Sequence, residues 1–131
     1  MERLGSHNMP AGLHADWNDC LRLGKKGEST FVAFQLYYAI RLMIEWAKYD
    51  EDREYFTKSL EELGKSLAEC WDEDRFIRGI REDGTIVGAK HDPEANMWLN
   101  PQSWSVISRF ASGAQAEAAM QSVHDILNTP Y

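Results

Sequence analysis

At 131 residues the chain amounts to one domain, long enough to bury about two-thirds of its unfolded surface on folding. Its 44% hydrophobic and 27% charged residues, free of any biased tract, are the profile of a globular protein and exclude a disordered one. A net charge of −7 repels phosphate backbones and anionic lipid, which argues against nucleic acid and membrane partners and leaves neutral ligands such as sugars open.

Residues 1–28 are rich in Gly, Asn, Asp and His and read as a long irregular segment of the kind that carries sites. From Ser29 to Tyr49 the apolar residues Phe31, Val32, Phe34, Leu36, Tyr37, Ile40, Met43, Ile44 and Trp46 cover most of a helix circumference. The spacing predicts a helix buried on nearly every side. Gln35, Arg41 and Glu45 interrupt its apolar run, so it is too polar to span a bilayer, and the first residues do not read as a signal peptide. Asp50 is the expected N-cap of a second helix, whose narrow face of Phe56, Leu60, Leu63 and Leu67 should cover the first from outside. Glu51, Asp52 and Glu54 suit the positive end of its dipole.

At residues 75–88 the period changes. Two short β-type runs, 75–81 and 85–88, flank Asp83-Gly84, a dipeptide suited to a tight hairpin turn. Asn100-Pro101 predicts a third helix, capped by Asn100 and running to Ala111 through Trp104, Ile107 and Phe110. Gly113 separates it from a fourth helix over 114–128, with Ala116, Met120, Val123 and Leu127 on one face. Thr129-Pro130 stops it. The expected class is mainly α: helical hairpins, each pairing a buried with an amphipathic helix, plus one short β-hairpin.

Cys20 and Cys70 lack a CxxC partner and are expected to be reduced thiols in a cytoplasmic protein. His7, His14, His91 and His124 are too scattered for a metal site, so neither metal nor cofactor is expected.

The string most dense in chemistry is His14-Ala15-Asp16-Trp17-Asn18-Asp19-Cys20, ahead of the first helix. Carboxylates and amides that accept sugar hydroxyls, beside an indole that meets the C–H face of a pyranose, make a carbohydrate subsite. The same residues would equally make a capped turn, with Asp16 or Asp19 accepting backbone N–H groups and Trp17 filling core. Glu28 reads as an electrostatic and capping residue beside Ser29. Packing at a helix start accounts for Trp98, Gln102 and Trp104 as well as sugar contact would. Arg75, Arg78 and Arg81 could hold phosphate, but alternating arginines on a hairpin read as solvated surface.

The stretch Asp16-Trp17-Asn18-Asp19, followed by Gly24-Lys25-Lys26-Gly27-Glu28-Ser29, resembles the catalytic loop of the cellobiose and chitobiose phosphorylases. Further strings agree in order: Cys70-Trp71-Asp72, then Arg75-Phe76-Ile77-Arg78-Gly79 with Asp83-Gly84-Thr85, then Leu99-Asn100-Pro101-Gln102-Ser103-Trp104-Ser105-Val106, and last Leu127-Asn128-Thr129-Pro130-Tyr131. The resemblance spans essentially the whole chain and implies part of an (α/α)6 catalytic barrel, residues 1–131 forming a single partial domain with the site on loop 1–28.

It also implies cleavage of a β-linked disaccharide by inorganic phosphate with inversion, giving an α-sugar 1-phosphate, with phosphate as co-substrate and cellobiose as the first candidate donor. Phosphate arrives already anionic, so one enzyme carboxyl group suffices, whereas an inverting hydrolase needs a second to activate water. By the family motif the general acid is Asp19 and Trp17 belongs to the donor subsite; Asp16 is a further substrate-binding candidate, and His14 could line the acceptor side. Phosphate-binding residues would lie outside this chain, and the isolated chain would be an incomplete enzyme. Its bared helix faces are expected to self-associate as a homodimer or to pair with the rest of the barrel. The rival expectations are a glycoside hydrolase on the same toroid and a non-catalytic helical interaction domain.

Overall fold

The computed structural model of the chain describes residues 3–12, 18 and 20–130. Two helical hairpins are joined by short antiparallel strands. Strand β1 (Glu28–Ser29) runs directly into helix α1 (Thr30–Trp46), and α2 (Asp50–Ala68) folds back on it. Strands β2 (Trp71–Asp72), β3 (Arg75–Phe76), β4 (Gly79–Ile80) and β5 (Ile86–Val87) follow, then α3 (Leu99–Ile107) and α4 (Gly113–Leu127).

The Asp83-Gly84 turn forms as its residues dictate. β4 and β5 pair antiparallel, Arg81 N–H donates to the Thr85 carbonyl at 2.8 Å, and Gly84 adopts φ +86°, a region that favours glycine. Two features of the strand region differ from the sequence reading. Arg75-Phe76 pairs with Trp71-Asp72 in a hairpin of its own, and β4 is the middle strand of a three-stranded sheet whose other edge is β1. The described residues at the two ends of the 1–28 segment are also less irregular than expected. Bridges Leu4↔Pro10 and Ala11↔Glu28 tie the N-terminal segment to β1.

The core lies where α1, α2 and α3 meet β3. The Phe34 ring stands edge-on to Phe76 at 5.0 Å and lies 5.5 Å from Phe110, while Trp71 meets Phe76 at 4.8 Å. Leu63 and Leu67 close it from α2, as their spacing predicts, with Phe56 and Leu60 half-buried along the same face.

α1 is not buried on nearly every side. Its buried residues lie between Thr30 and Ile40, whereas Met43 is 43% and Trp46 73% exposed, because α2 and α3, the helices packed on it, leave part of this end open. α2 is preceded by Tyr49, not capped by Asp50, which is its first helical residue; no side chain caps it, and Asp50, Glu51 and Asp52 act on the dipole instead. α3 starts two residues earlier than the Asn-Pro signal suggests, with Trp98 at the cap position, and it ends at Ile107 before Arg109 turns into a positive φ of 59°. On α4 the buried residues are Ala119 and Ser122, with Ala116 and Val123 beside them; Met120 and Leu127, expected to face inward, are exposed. Small residues face the core there because Ser122 Oγ reaches the Asp74 carbonyl at 3.1 Å, an approach a large side chain would block.

An ion cluster fastens the β2–β3 turn to the segment before α3. Lys90 Nζ lies 2.6 Å from Glu73 and 3.3 Å from Asp74, and Arg75 binds both Asp74 (2.8 Å) and the Asn96 carbonyl (2.7 Å). The hydrogen bond from Arg75, reinforced by Lys90, holds the Asp74 carboxyl below the usual aspartate range. A carboxyl depressed in the folded state contributes stability above its unfolded pKa and loses it as pH falls through the folded value. Acid titration should therefore loosen this cluster below about pH 4. Asp74→Asn should flatten that part of the pH–stability curve, which denaturation at several pH values would measure; an unchanged curve would sink the assignment.

Candidate functional site

Of the expected site residues, His14, Asp16, Trp17 and Asp19 lie outside the described residues. What surrounds their loop is described. Asn18 accepts the N–H of Cys20 on its side-chain oxygen at 3.0 Å and the N–H of Leu21 on its carbonyl at 2.9 Å. Leu23 is buried, and its carbonyl accepts the N–H of Glu82 from the β4–β5 connection at 2.9 Å. Gly12 N–H reaches the Gly27 carbonyl at 2.8 Å, bringing the two limbs of the loop together.

Glu28 moors the incoming limb. Its carboxylate is 1% exposed and accepts the backbone N–H of His7 and of Met9, each at 3.0 Å, while His7 Nδ1 lies 2.6 Å away. The sequence reading of Glu28 as an electrostatic residue holds, but it caps the 5–9 segment; the N-cap of α1 is Ser29, whose Oγ accepts Val32 N–H at 3.4 Å.

Arg75 and Arg78 overturn the reading of a solvated arginine series. They are 4% and 1% exposed, and only Arg81 faces solvent. Arg78 is held by aromatic faces, its guanidinium carbon 5.6 Å from the Phe31 centroid and 5.4 Å from that of Trp98, and its Nη1 donates to Ser29 Oγ at 2.8 Å. Gly88 makes room for it: at φ +76°, a Cβ there would come within 2.8 Å of both Arg78 Cβ and Trp98 Cδ1.

Gln102, Trp98 and Trp104 are explained by packing. Gln102 is fully buried and satisfies both backbone groups of Phe76, Trp98 lies against Arg78, and Trp104 meets Phe31 and Tyr38 edge-on. Among the described residues no group of three His, Cys, Asp or Glu side chains could hold a metal ion, and no helix is long and apolar enough to cross a membrane.

Both cysteines are free. Cys20, beside the loop, is exposed, whereas burial pushes the Cys70 thiol up to about 11. A maleimide at neutral pH should modify Cys20 within minutes and leave Cys70 untouched until the protein is denatured, as mass spectrometry would show. Equal labelling of both in the folded protein would contradict the burial of Cys70.

The model of the glycosyl hydrolase 94 superfamily catalytic domain matches residues 1–131. The chain belongs to that superfamily. It is similar to the N,N'-diacetylchitobiose phosphorylase of Vibrio proteolyticus, at 33% identity over 99% of this chain and 17% of the relative. The solabiose phosphorylase of Paenibacillus borealis is 32% identical over 98% of this chain and 18% of the relative. The cellobionic acid phosphorylase of Neurospora crassa is 36% identical over 88% of this chain and 16% of its own length. The chain thus spans less than a fifth of the length of these relatives. The disaccharide phosphorylase resemblance carried by Asp16–Asp19 and the strings after it agrees with these relatives.

Proposed function

We propose that this chain is the acid-bearing part of a glycoside phosphorylase that cleaves a β-linked disaccharide with inorganic phosphate and inverts the anomeric carbon. The observation that carries the reading is the superfamily match along all 131 residues, with phosphorylases among the relatives. An oxygen of phosphate attacks the anomeric carbon as the glycosidic C–O bond breaks. Asp19 delivers its proton to the departing sugar oxygen, and the products are an α-sugar 1-phosphate and the free acceptor sugar. Phosphate is its own nucleophile, so no enzymatic base is required.

Trp17 and Asp16 would face the donor sugar and His14 the acceptor, with the (α/α)6 barrel completed by helices beyond those described here. Gln102 is buried and Trp98 and Trp104 are half-buried, each engaged in packing, which favours a sugar site made by the loop ahead of α1. The cytoplasm, with its phosphate, suits the reaction. The apolar exposure at Met43 and Trp46 suits a contact with the rest of the barrel or with a second copy.

The test is to incubate the protein with phosphate and a panel of β-linked disaccharides, following α-sugar 1-phosphate by phosphorus NMR. Phosphate-dependent product supports the proposal. Cleavage that proceeds without phosphate would make the protein a hydrolase, and silence with every sugar would sink both.

A further inference from the structure

Burying a guanidinium is costly, and an apolar side chain could fill the space between Phe31 and Trp98 without taking a charge out of water. Arg78 is nevertheless enclosed there. The place it occupies suggests its task. Ser29 Oγ receives Arg78 Nη1 at 2.8 Å and the N–H of Val32 at 3.4 Å, so the guanidinium, β1 and the first turn of α1 meet at one oxygen. The Arg78 backbone closes the same joint: its carbonyl accepts Thr30 N–H at 3.2 Å, and its N–H donates to the Val87 carbonyl at 2.8 Å. From this joint the chain runs back through Glu28 to the stretch 20–27 and so to Asn18.

We infer that Arg78 is a positioning residue for the loop that carries Asp19, setting through Ser29 where that loop leaves α1. The inference rests on the proposed role of Asp19. A planar guanidinium can lie against two rings while one N–H bonds Ser29; a lysine ammonium keeps the charge and loses that combination. A displaced loop would bind sugar almost as before but deliver the proton less well, since small misplacements act on the transition state.

The experiment uses the whole protein that carries this chain, with Arg78→Lys and Arg78→Ala. Arg78→Lys should lower kcat about tenfold while KM for disaccharide and for phosphate stays within about twofold. Amide exchange over residues 20–27 should quicken about tenfold with that of α2 unchanged. Methylguanidinium should restore activity to Arg78→Ala. Wild-type kcat in a folded variant overturns the inference, as does exchange that rises equally in α2 and in 20–27, the mark of a merely structural arginine. If the unaltered protein shows no phosphorolysis, the proposed function fails. Exchange then decides the positioning role alone, and unchanged exchange over 20–27 overturns it.

Discussion

Asp19→Asn should reduce phosphate-dependent cleavage of the disaccharide by about 10²–10⁴-fold, the usual worth of a positioned general acid. Asparagine matches aspartate in shape but has no proton to give, and a sugar alkoxide is too basic to depart unaided. Phosphate and both sugars would meet an almost unchanged surface, so KM values should move little while kcat collapses. A β-glycosyl fluoride offers a sharper contrast, because fluoride leaves without a proton: the variant should lose far less rate with that donor than with the disaccharide. A variant within about twofold of wild type on the disaccharide would remove Asp19 from the mechanism. Equal losses on both donors would point to a broken site instead of a missing proton.

Gln102→Ala should destabilise the protein by about 3 kcal/mol, seen as a lower denaturation midpoint in urea. Gln102 is fully buried; its Oε1 accepts Phe76 N–H at 2.8 Å, and its Nε2 donates to the Phe76 carbonyl at 2.7 Å and the Trp98 carbonyl at 3.2 Å. The amide serves as the strand neighbour that Phe76 lacks on that side. Truncation strands two backbone groups in the apolar core, each at a cost of about 1–3 kcal/mol, and leaves a cavity beside the aromatic cluster. Gln102→Glu tests the hydrogen-bond logic at constant shape. Above its folded pKa the carboxylate would face the Phe76 carbonyl with no proton to donate. Burial and that repulsion raise the folded pKa above the unfolded one, so acidification should restore stability to this variant. A loss under about 0.5 kcal/mol in Gln102→Ala would mean that the amide is not the partner of Phe76.

The role of Gln102 was hard to foresee for a physical reason. In the string Asn100-Pro101-Gln102 it reads as one polar residue at a helix start, equally suited to a sugar or to packing. Only the approach of β3, remote in sequence, supplies the carbonyl and N–H that claim both ends of its amide. Arg78 misled for a similar reason: an arginine at every third position of a hairpin reads as solvated surface, and nothing local announces that Phe31 and Trp98 will close over Arg78.

What the sequence determined alone is whatever depends on neighbours along the chain. The α1 and α2 helices follow from apolar periodicity, and the β4–β5 turn from Asp83-Gly84, whose glycine enters the left-handed region at little cost. The ordered strings from Asp16 to Tyr131 likewise carried the family. Only the tertiary structure decided which polar residues lie inside, which face of α4 turns inward and how far α1 is covered. Burial belongs to two surfaces at once, and half of each contact lies far away in sequence. Glu28, Arg78 and Gln102 are therefore the residues whose work became visible only when β1, β4 and α3 came together.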